Sequence, residues 1–275
     1  MFKRPALSPL SSAPKTSLII STYNWPEALR CCLLSVARQK VLPGEVIIAD
    51  DGSTGDTRAM LEAIEKNFPV PLIHIWHQDE GFRKARILNK AAASSTGEYI
   101  IQIDGDVILN RYFVRDHLAA AEKGAFIRGT RAMLTPARST KVLLSGETGI
   151  HAFSNGVYNR LNAMRIPVLR FFGQRREMNS RSVRGSNMAF WKSDFILVNG
   201  YNNELQGWGH EDEELAARFI NNGIIKKIVK LSAVQFHLHH FERPRDNEPS
   251  HTALLRNVRL NNIKTCPNGY NPHTL

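Results

Sequence analysis

Three cysteines are few for 275 residues, and two of them, Cys31 and Cys32, are adjacent. Neighbouring cysteines make poor disulfide partners, and no pair has metal-type spacing. A disulfide scaffold is therefore excluded, and a reducing, cytoplasmic setting is the simplest expectation. Acidic residues are also short, with 25 Asp and Glu against 36 Lys and Arg, a net charge of +11. That excess favours anionic partners, whether nucleotide phosphates, acidic lipid surfaces or nucleic acid, without choosing among them. No apolar run approaches the ~20 residues that span a bilayer. Lys3 and Arg4 precede a stretch too short and too Pro-rich for the apolar part of a signal peptide, so residues 1–15 read as a flexible leader. There is no internal repeat and no long low-complexity tract. What remains is a chain that is 43% hydrophobic, enough for one large α/β domain or a domain with a sizeable extension.

The chain is organised around Tyr99 to Ile103, a β-branched and aromatic run that reads as a buried strand and ends in Asp104-Gly105-Asp106. Two carboxylates at a strand end suit a hard divalent cation that completes its shell with substrate phosphates. A glycine between them would let the backbone approach whatever they hold. Alone, the triplet reads better as a polar turn. Its setting decides. Short apolar strands at Ser17–Ser21, Glu45–Ala49 and Leu72–Trp76 alternate with helical patterns at Glu27–Gln39, Thr57–Asn67 and Arg83–Ala93. This alternation predicts an α/β fold, a mostly parallel central sheet with helices on both faces. In such sheets ligands sit beyond the carboxyl ends of the strands. The polar turns at 22–26, 50–53, 77–83 and 104–106 all fall there.

Those turns carry a resemblance. Ile20-Ser21-Thr22-Tyr23-Asn24, Ile48-Ala49-Asp50-Asp51-Gly52-Ser53, Gly81-Phe82-Arg83 with Asn89, Gly97-Glu98-Tyr99 and Asp104-Gly105-Asp106 resemble, in order and spacing, glycosyltransferase family 2. The resemblance implies the GT-A (nucleotide-diphospho-sugar transferase) fold. It assigns Thr22, Tyr23 and Asn24 to the nucleoside and Asp50 or Asp51 to the uracil edge, Asp51 serving equally as an N-cap for the next turn. Asp106 would hold the metal, manganese or magnesium, and Asp104 would touch ribose or a metal-bound water. Family members often carry an arginine where this chain has Leu88. Arg83 or Arg86 could reach the nucleotide instead, Arg83 being the better candidate.

The second half is less regular. A helix over Asn110–Glu122 and a strand from Ala125 precede residues 137–183, where arginines and apolar residues interleave. This mixture suits peripheral contact with an anionic membrane or a lipid-linked acceptor, an amphipathic helix pair with a solvated basic face, or a loop that covers the site. Asn187 stands at the polar entrance of a buried strand. Gly207-Trp208-Gly209-His210-Glu211-Asp212-Glu213-Glu214 then resembles the carboxyl-terminal motif of galactosyltransferase-like enzymes, in which Trp-Gly and an acidic pair line the acceptor pocket. Trp208, Gly209 and Asn187 are accordingly assigned to the acceptor, Asp212 to the general base and Glu211 to orienting a substrate. Glu213 and Glu214 are also accounted for by helix capping and dipole compensation. Ile228–Phe236 reads as a last strand, followed by His237, His239 and His240. The resemblance places a histidine ligand here. His237 is chosen first and His240 second, since His239 would face the other way on an extended chain.

The resulting expectation is an inverting, metal-dependent glycosyltransferase, hexosyl or N-acetylhexosaminyl. It would act from a nucleotide-sugar, UDP-linked, on a hydroxyl of a surface glycan such as lipopolysaccharide or capsule, at the inner face of the membrane. Residues 16–125 would bind the nucleotide-sugar, 126–245 would bind the acceptor and catalyse, and 246–275 would form a tail. A sugar-phosphate nucleotidyltransferase would use the paired aspartates but leave the Gly-Trp-Gly motif idle. A nucleic-acid-binding protein would explain the charge, but the basic residues are dispersed and no binding motif is present, so nucleic acid is not an expected partner.

Overall fold

The structure is a computed structural model that describes residues 13–169, 172–240 and 248–270. Most of the leader and the extreme carboxyl terminus lie outside these residues. The first half runs β1 (Thr16–Thr22), α1 (Pro26–Ala37), β2 (Glu45–Asp50), α2 (Gly55–Glu65), β3 (Leu72–Trp76), α3 (Lys84–Ser94) and β4 (Tyr99–Asp104). Pro26 opens α1, where its missing N–H costs nothing. Every residue of β1 and β2 is buried, because alternate side chains point to opposite faces and both faces are covered. Leu18, Ile20, Val46 and Ile48 pack with Leu29, Leu33 and Leu61 of α1 and α2. Ile19, Ile47 and Ala49 pack on the other side with Ala85, Leu88 and Ala91 of α3.

The second half adds β5 (Val107–Leu109), α4 (Phe113–Ala120), β6 (Ala125–Arg128), β7 (Ala132–Leu134), α5 (Pro136–Ser145), β8 (Val157–Tyr158) and α6 (Arg160–Ala163). There follow β9 (Gln174–Glu177), β10 (Asn187–Trp191), α7 (Lys192–Leu197), α8 (Glu211–Asn221), β11 (Ile225–Val229), β12 (Gln235–His237) and α9 (Glu248–Leu260). The large sheet has the order β3-β2-β1-β4-β10-β6-β11-β9, and a smaller one the order β5-β12-β7-β8. From β3 to β4 all pairs are parallel. Beyond β4 the sheet becomes mixed, since β10 runs antiparallel to both neighbours. Register leaves the carboxyl ends flush, with Thr22 opposite Asp50 and Ser21 opposite Asp104.

Two expectations about the second half need correction. Residues 228–236 are not one strand. The chain leaves the large sheet after Val229 and enters the small one at Gln235, turning through Leu231 and Ala233 at φ of 59° and 48°. Polar side chains clamp this corner. The Ala233 N–H donates to Asp116 Oδ2 at 3.0 Å, its carbonyl accepts from Asn187 Nδ2 at 3.1 Å, and Arg165 grips Asp116 through two 2.7 Å bonds. Nor does 137–183 form a helix pair. Its described residues hold most of α5, the short strand β8, the four-residue α6 and the edge strand β9, joined by turns, and several of its arginines are tied to carboxylates. The fold thus uses as local clamps several charges that read as a solvated face.

Candidate active site

Asp106 lies just past β4, and the antiparallel pairing of β12 with β5 sets His237 opposite Val107. The Leu238 N–H donates to the Asp106 carbonyl at 2.9 Å. This register brings His237 Nε2 to 3.5 Å from Asp106 Oδ1 and His240 Nε2 to 3.3 Å from Oδ2. The three ligand atoms lie within 4.8 Å of one another. His237 Nδ1 is 2.7 Å from the Leu238 carbonyl. Donation there leaves Nε2 with its lone pair toward the carboxylate, the tautomer a metal ligand needs. Burial holds the His237 imidazole below its usual basicity, against the pull of Asp106. Asp106 Oδ1 is buried and has no hydrogen-bond donor, which is costly unless a cation takes the position. One carboxylate and two imidazoles suit a divalent first-row transition ion better than magnesium, so the residues fit a metal.

A second carboxylate group sits at the amino end of α8. Asp212 Oδ2 accepts from the Gly185 N–H at 2.6 Å, and Oδ1 accepts from the Tyr201 hydroxyl at 2.9 Å. Gln102 of β4 bonds the same hydroxyl. Glu211 is buried and accepts from the Gly209 N–H at 3.1 Å. Burial, then the charge of Asp212, push Glu211 up to about 7, with Lys84 opposing. Burial also raises Asp212, again against Lys84. Glu213 and Glu214 do more than complement the helix dipole. Glu213 pairs with Arg259 and accepts from the Ser182 N–H, while Glu214 forms a fully buried bidentate pair with Arg218.

Lys84 lies within electrostatic reach of the second group and bonds the carboxylate two residues before Asp106. Its Nζ donates to Asp104 Oδ1 at 2.8 Å, an oxygen that also accepts from Ser21 Oγ at 2.8 Å. Burial works against the Lys84 charge, but Asp104, Asp212 and Glu211 together outweigh it and raise the ammonium's pKa. Asp104 is held low in turn, since Lys84 and Ser21 overcome its burial. The sequence reading missed Lys84 and Tyr201. Lys84 sits one helical turn before Leu88, and Leu88 is a core residue. Sequence order does not show that the cation comes from this earlier turn. Arg86 instead pairs at the surface with Glu80 at 3.0 Å, and an Arg83 guanidinium nitrogen donates to the Phe82 carbonyl at 3.3 Å.

On the nucleotide side, Asp50 rather than Asp51 closes the turn, accepting from the Ser53 N–H at 2.8 Å. Its other oxygen meets His74. Asp51 bonds His77 and the Arg83 N–H at 2.8 and 2.9 Å. Tyr23 donates to Asp79, and Asn24 Oδ1 accepts from the Thr54 N–H; Thr22 is buried beside them. Gly105 approaches the neighbouring strand rather than a ligand, for a Cβ there would lie 3.1 Å from the Ser21 carbonyl oxygen. On the acceptor side, Trp208 is partly exposed and the Gly207 N–H donates to the Phe82 carbonyl. Gly209 adopts φ 117°, where a side chain would be strained. Asn187 does not offer its side chain to a ligand. It is buried, its Oδ1 meets His117 Nε2 at 2.9 Å, and its Nδ2 donates to the Thr130 and Ala233 carbonyls.

Comparison with known proteins agrees with this geometry. Residues 17–181 match Glycosyl transferase family 2, and residues 168–243 match the family described as N-terminal domain of galactosyltransferase. Validoxylamine A glucosyltransferase of Streptomyces hygroscopicus subsp. limoneus is 27% identical over 228 residues, 78% of this chain and 49% of that protein. The chain spans about half the length of the first such relatives. The mannosyltransferase PcManGT from Pyrobaculum calidifontis, in complex with GDP-Man and Mn2+, superposes with a TM-score of 0.57 at 17% identity, covering 91% of this chain and 63% of that one. GalNAc-T7 with UDP, GalNAc and Mn2+ gives 0.61 at 15% identity, covering 84% and 45%. These likenesses show the GT-A fold.

Proposed function

The chain belongs to glycosyltransferase family 2, and from that premise we propose that it is an inverting, metal-dependent transferase acting from a UDP-sugar on a hydroxyl of a surface glycan. The observation that carries the reading is the nearness of two carboxylate centres, Asp106 with His237 and His240 and Asp212 with Glu211, on either side of Asp104, which bonds Lys84 and whose charge acts on Asp212. Asp212 takes the proton of the acceptor hydroxyl. The hydroxyl oxygen bonds to the anomeric carbon, and the bond from that carbon to the diphosphate breaks, its electron pair leaving with UDP. A single displacement inverts the anomeric centre. The raised pKa of Asp212 brings it nearer the working pH of a base, while hydrogen bonds from neutral donors fix its orientation. Asp106, His237 and His240 would hold a divalent cation whose charge offsets that developing on the diphosphate. Asp51 or Asp50, with Thr22, Tyr23, Asn24 and Arg83, would line the nucleoside, and Trp208 would stack on a sugar face. A nucleotidyltransferase would leave Asp212 and the Gly-Trp-Gly loop without a task.

Contact with an anionic membrane fits the exposed Leu161, Val168 and Phe172, which share a chain segment with several arginines. Among the described residues no helix is long and apolar enough to cross a bilayer. The deciding experiment screens nucleotide sugars with manganese for thermal stabilisation and nucleotide release. A UDP-sugar should stabilise the protein and release UDP in a reaction that EDTA stops. Release of pyrophosphate, or indifference to EDTA, would overturn the reading.

A further inference from the structure

A cavity of about 510 Å³ opens where the turn between β6 and β7, the segment leading into β10 and the loop before α6 meet. Arg128, Arg131, Arg184 and Lys230 line it, together with Tyr158 and Asn162. Among the described residues none of these four cations has a carboxylate partner within ion-pair distance, although Arg138, Arg165 and Arg176 of the same half each have one at 2.7 Å. Three guanidiniums are close enough for Arg184 to disfavour the charge on both Arg128 and Arg131, after burial has already done so. Packing like charges together without a counter-ion is unfavourable, and guanidiniums are suited to gripping planar and tetrahedral oxyanions.

No residue of either carboxylate centre lines the cavity, but two of its arginines relate it to both. Arg184 immediately precedes Gly185, whose N–H holds Asp212. Arg131 lies within the electrostatic reach of Asp104 and Asp106. A second hollow of about 310 Å³ shares Arg128 and Lys230 and adds Arg175, Arg181 and the Lys226–Glu177 pair, so cations remain in excess beside the first cavity. We propose that this cavity is an acceptor subsite for an oxyanion, phosphate or carboxylate, and that the acceptor is therefore an acidic glycan. The inference rests on the glycosyltransferase reading and specifies its second substrate. Trp208 offers a sugar a flat apolar surface, and the arginine cavity selects for its charge.

The test uses the full chain saturated with UDP and manganese, titrated calorimetrically with glucose 6-phosphate, glucuronate and glucose. At least one acidic sugar should bind about tenfold or more tightly than glucose, as expected for a charge-assisted contact, and the two acidic arms distinguish phosphate from carboxylate. Arg184→Gln should remove that preference and Arg184→Lys should retain part of it. Arg184 is exposed, so its replacement tests the site even if Arg131→Gln fails to fold. Equal binding of glucose, or an unchanged preference in both Arg184→Gln and Arg131→Gln, would overturn the subsite. So would binding of the acidic sugars only without UDP, which would make the cavity the seat of the donor diphosphate. UDP and manganese binding is measured first in every variant. Its failure would sink the functional reading itself, whereas intact nucleotide binding without acid preference would sink the subsite alone.

Discussion

Asp106, two residues beyond the Lys84-bound Asp104, and Asp212, whose charge acts on the same lysine, have opposite surroundings. Asp106 faces two imidazoles and keeps a buried oxygen without a donor. Asp212 has both oxygens occupied by neutral donors, a backbone N–H and a phenol. The first arrangement leaves a buried oxygen to which a cation could bind. The second is complete and leaves the charge in place, since hydrogen bonds from neutral groups orient a carboxylate without neutralising it. Their partners thus make one carboxylate a candidate for metal binding and the other a candidate for proton transfer.

The sharpest way to break this comparison is Asp212→Asn. Loss of a base should lower sugar transfer by about 10²- to 10⁴-fold, with UDP and manganese binding unchanged by calorimetry. Retention of activity would remove Asp212 from the chemistry. His237→Ala should do the reverse, weakening manganese affinity by roughly 100-fold while the fold, read by circular dichroism, persists. If manganese bound equally well, the Asp106 centre would not be a metal site. Gly185→Ala probes how firmly the base is held. A Cβ there would stand 2.4 Å from Asp212 Oδ1 and 2.5 Å from Gln102 Nε2, so transfer should fall by about tenfold to 100-fold through misplacement, chiefly in kcat.

Lys84→Met is the mildest, at a residue that bonds Asp104 and whose charge acts on Asp212. Burial raises the Asp212 carboxyl and Lys84 lowers it, so removing the cation raises it further. A base works only when ionised, and its activity disappears as pH falls through its pKa. The acid limb of kcat/KM should therefore move to higher pH. A limb that stays in place, or moves down, would show that Lys84 does not govern the base.

The first half was legible because its information is local. Short continuous apolar runs at 18–20 and 46–49, buried on both faces, together with Pro26 and the Asp-Gly turns marked each boundary to within a few residues. The antiparallel insertion of β10 and the break at Leu231 were not legible. Residues 228–236 form a largely apolar run, and what bends it is Asp116 and Asn187, more than forty residues away in sequence. Asn187 read as a polar entrance, yet it is a clamp on that bend. Lys84 was hidden because a basic residue in the first turn of a helix has no sequence mark that distinguishes an active-site cation from a solvated one.

Sequence alone determined the strand–helix alternation, the acidic motifs at strand and helix ends, and the family, since each depends on residue type at short spacing. Only the tertiary structure decided which acid meets which partner. The pairing of β12 with β5 aligns His237 with Asp106 across about 130 residues of chain, and α3 delivers Lys84 to Asp104. Register between distant strands and the reach of one long side chain are properties of packing. They turned two acidic motifs into two centres with different chemistry.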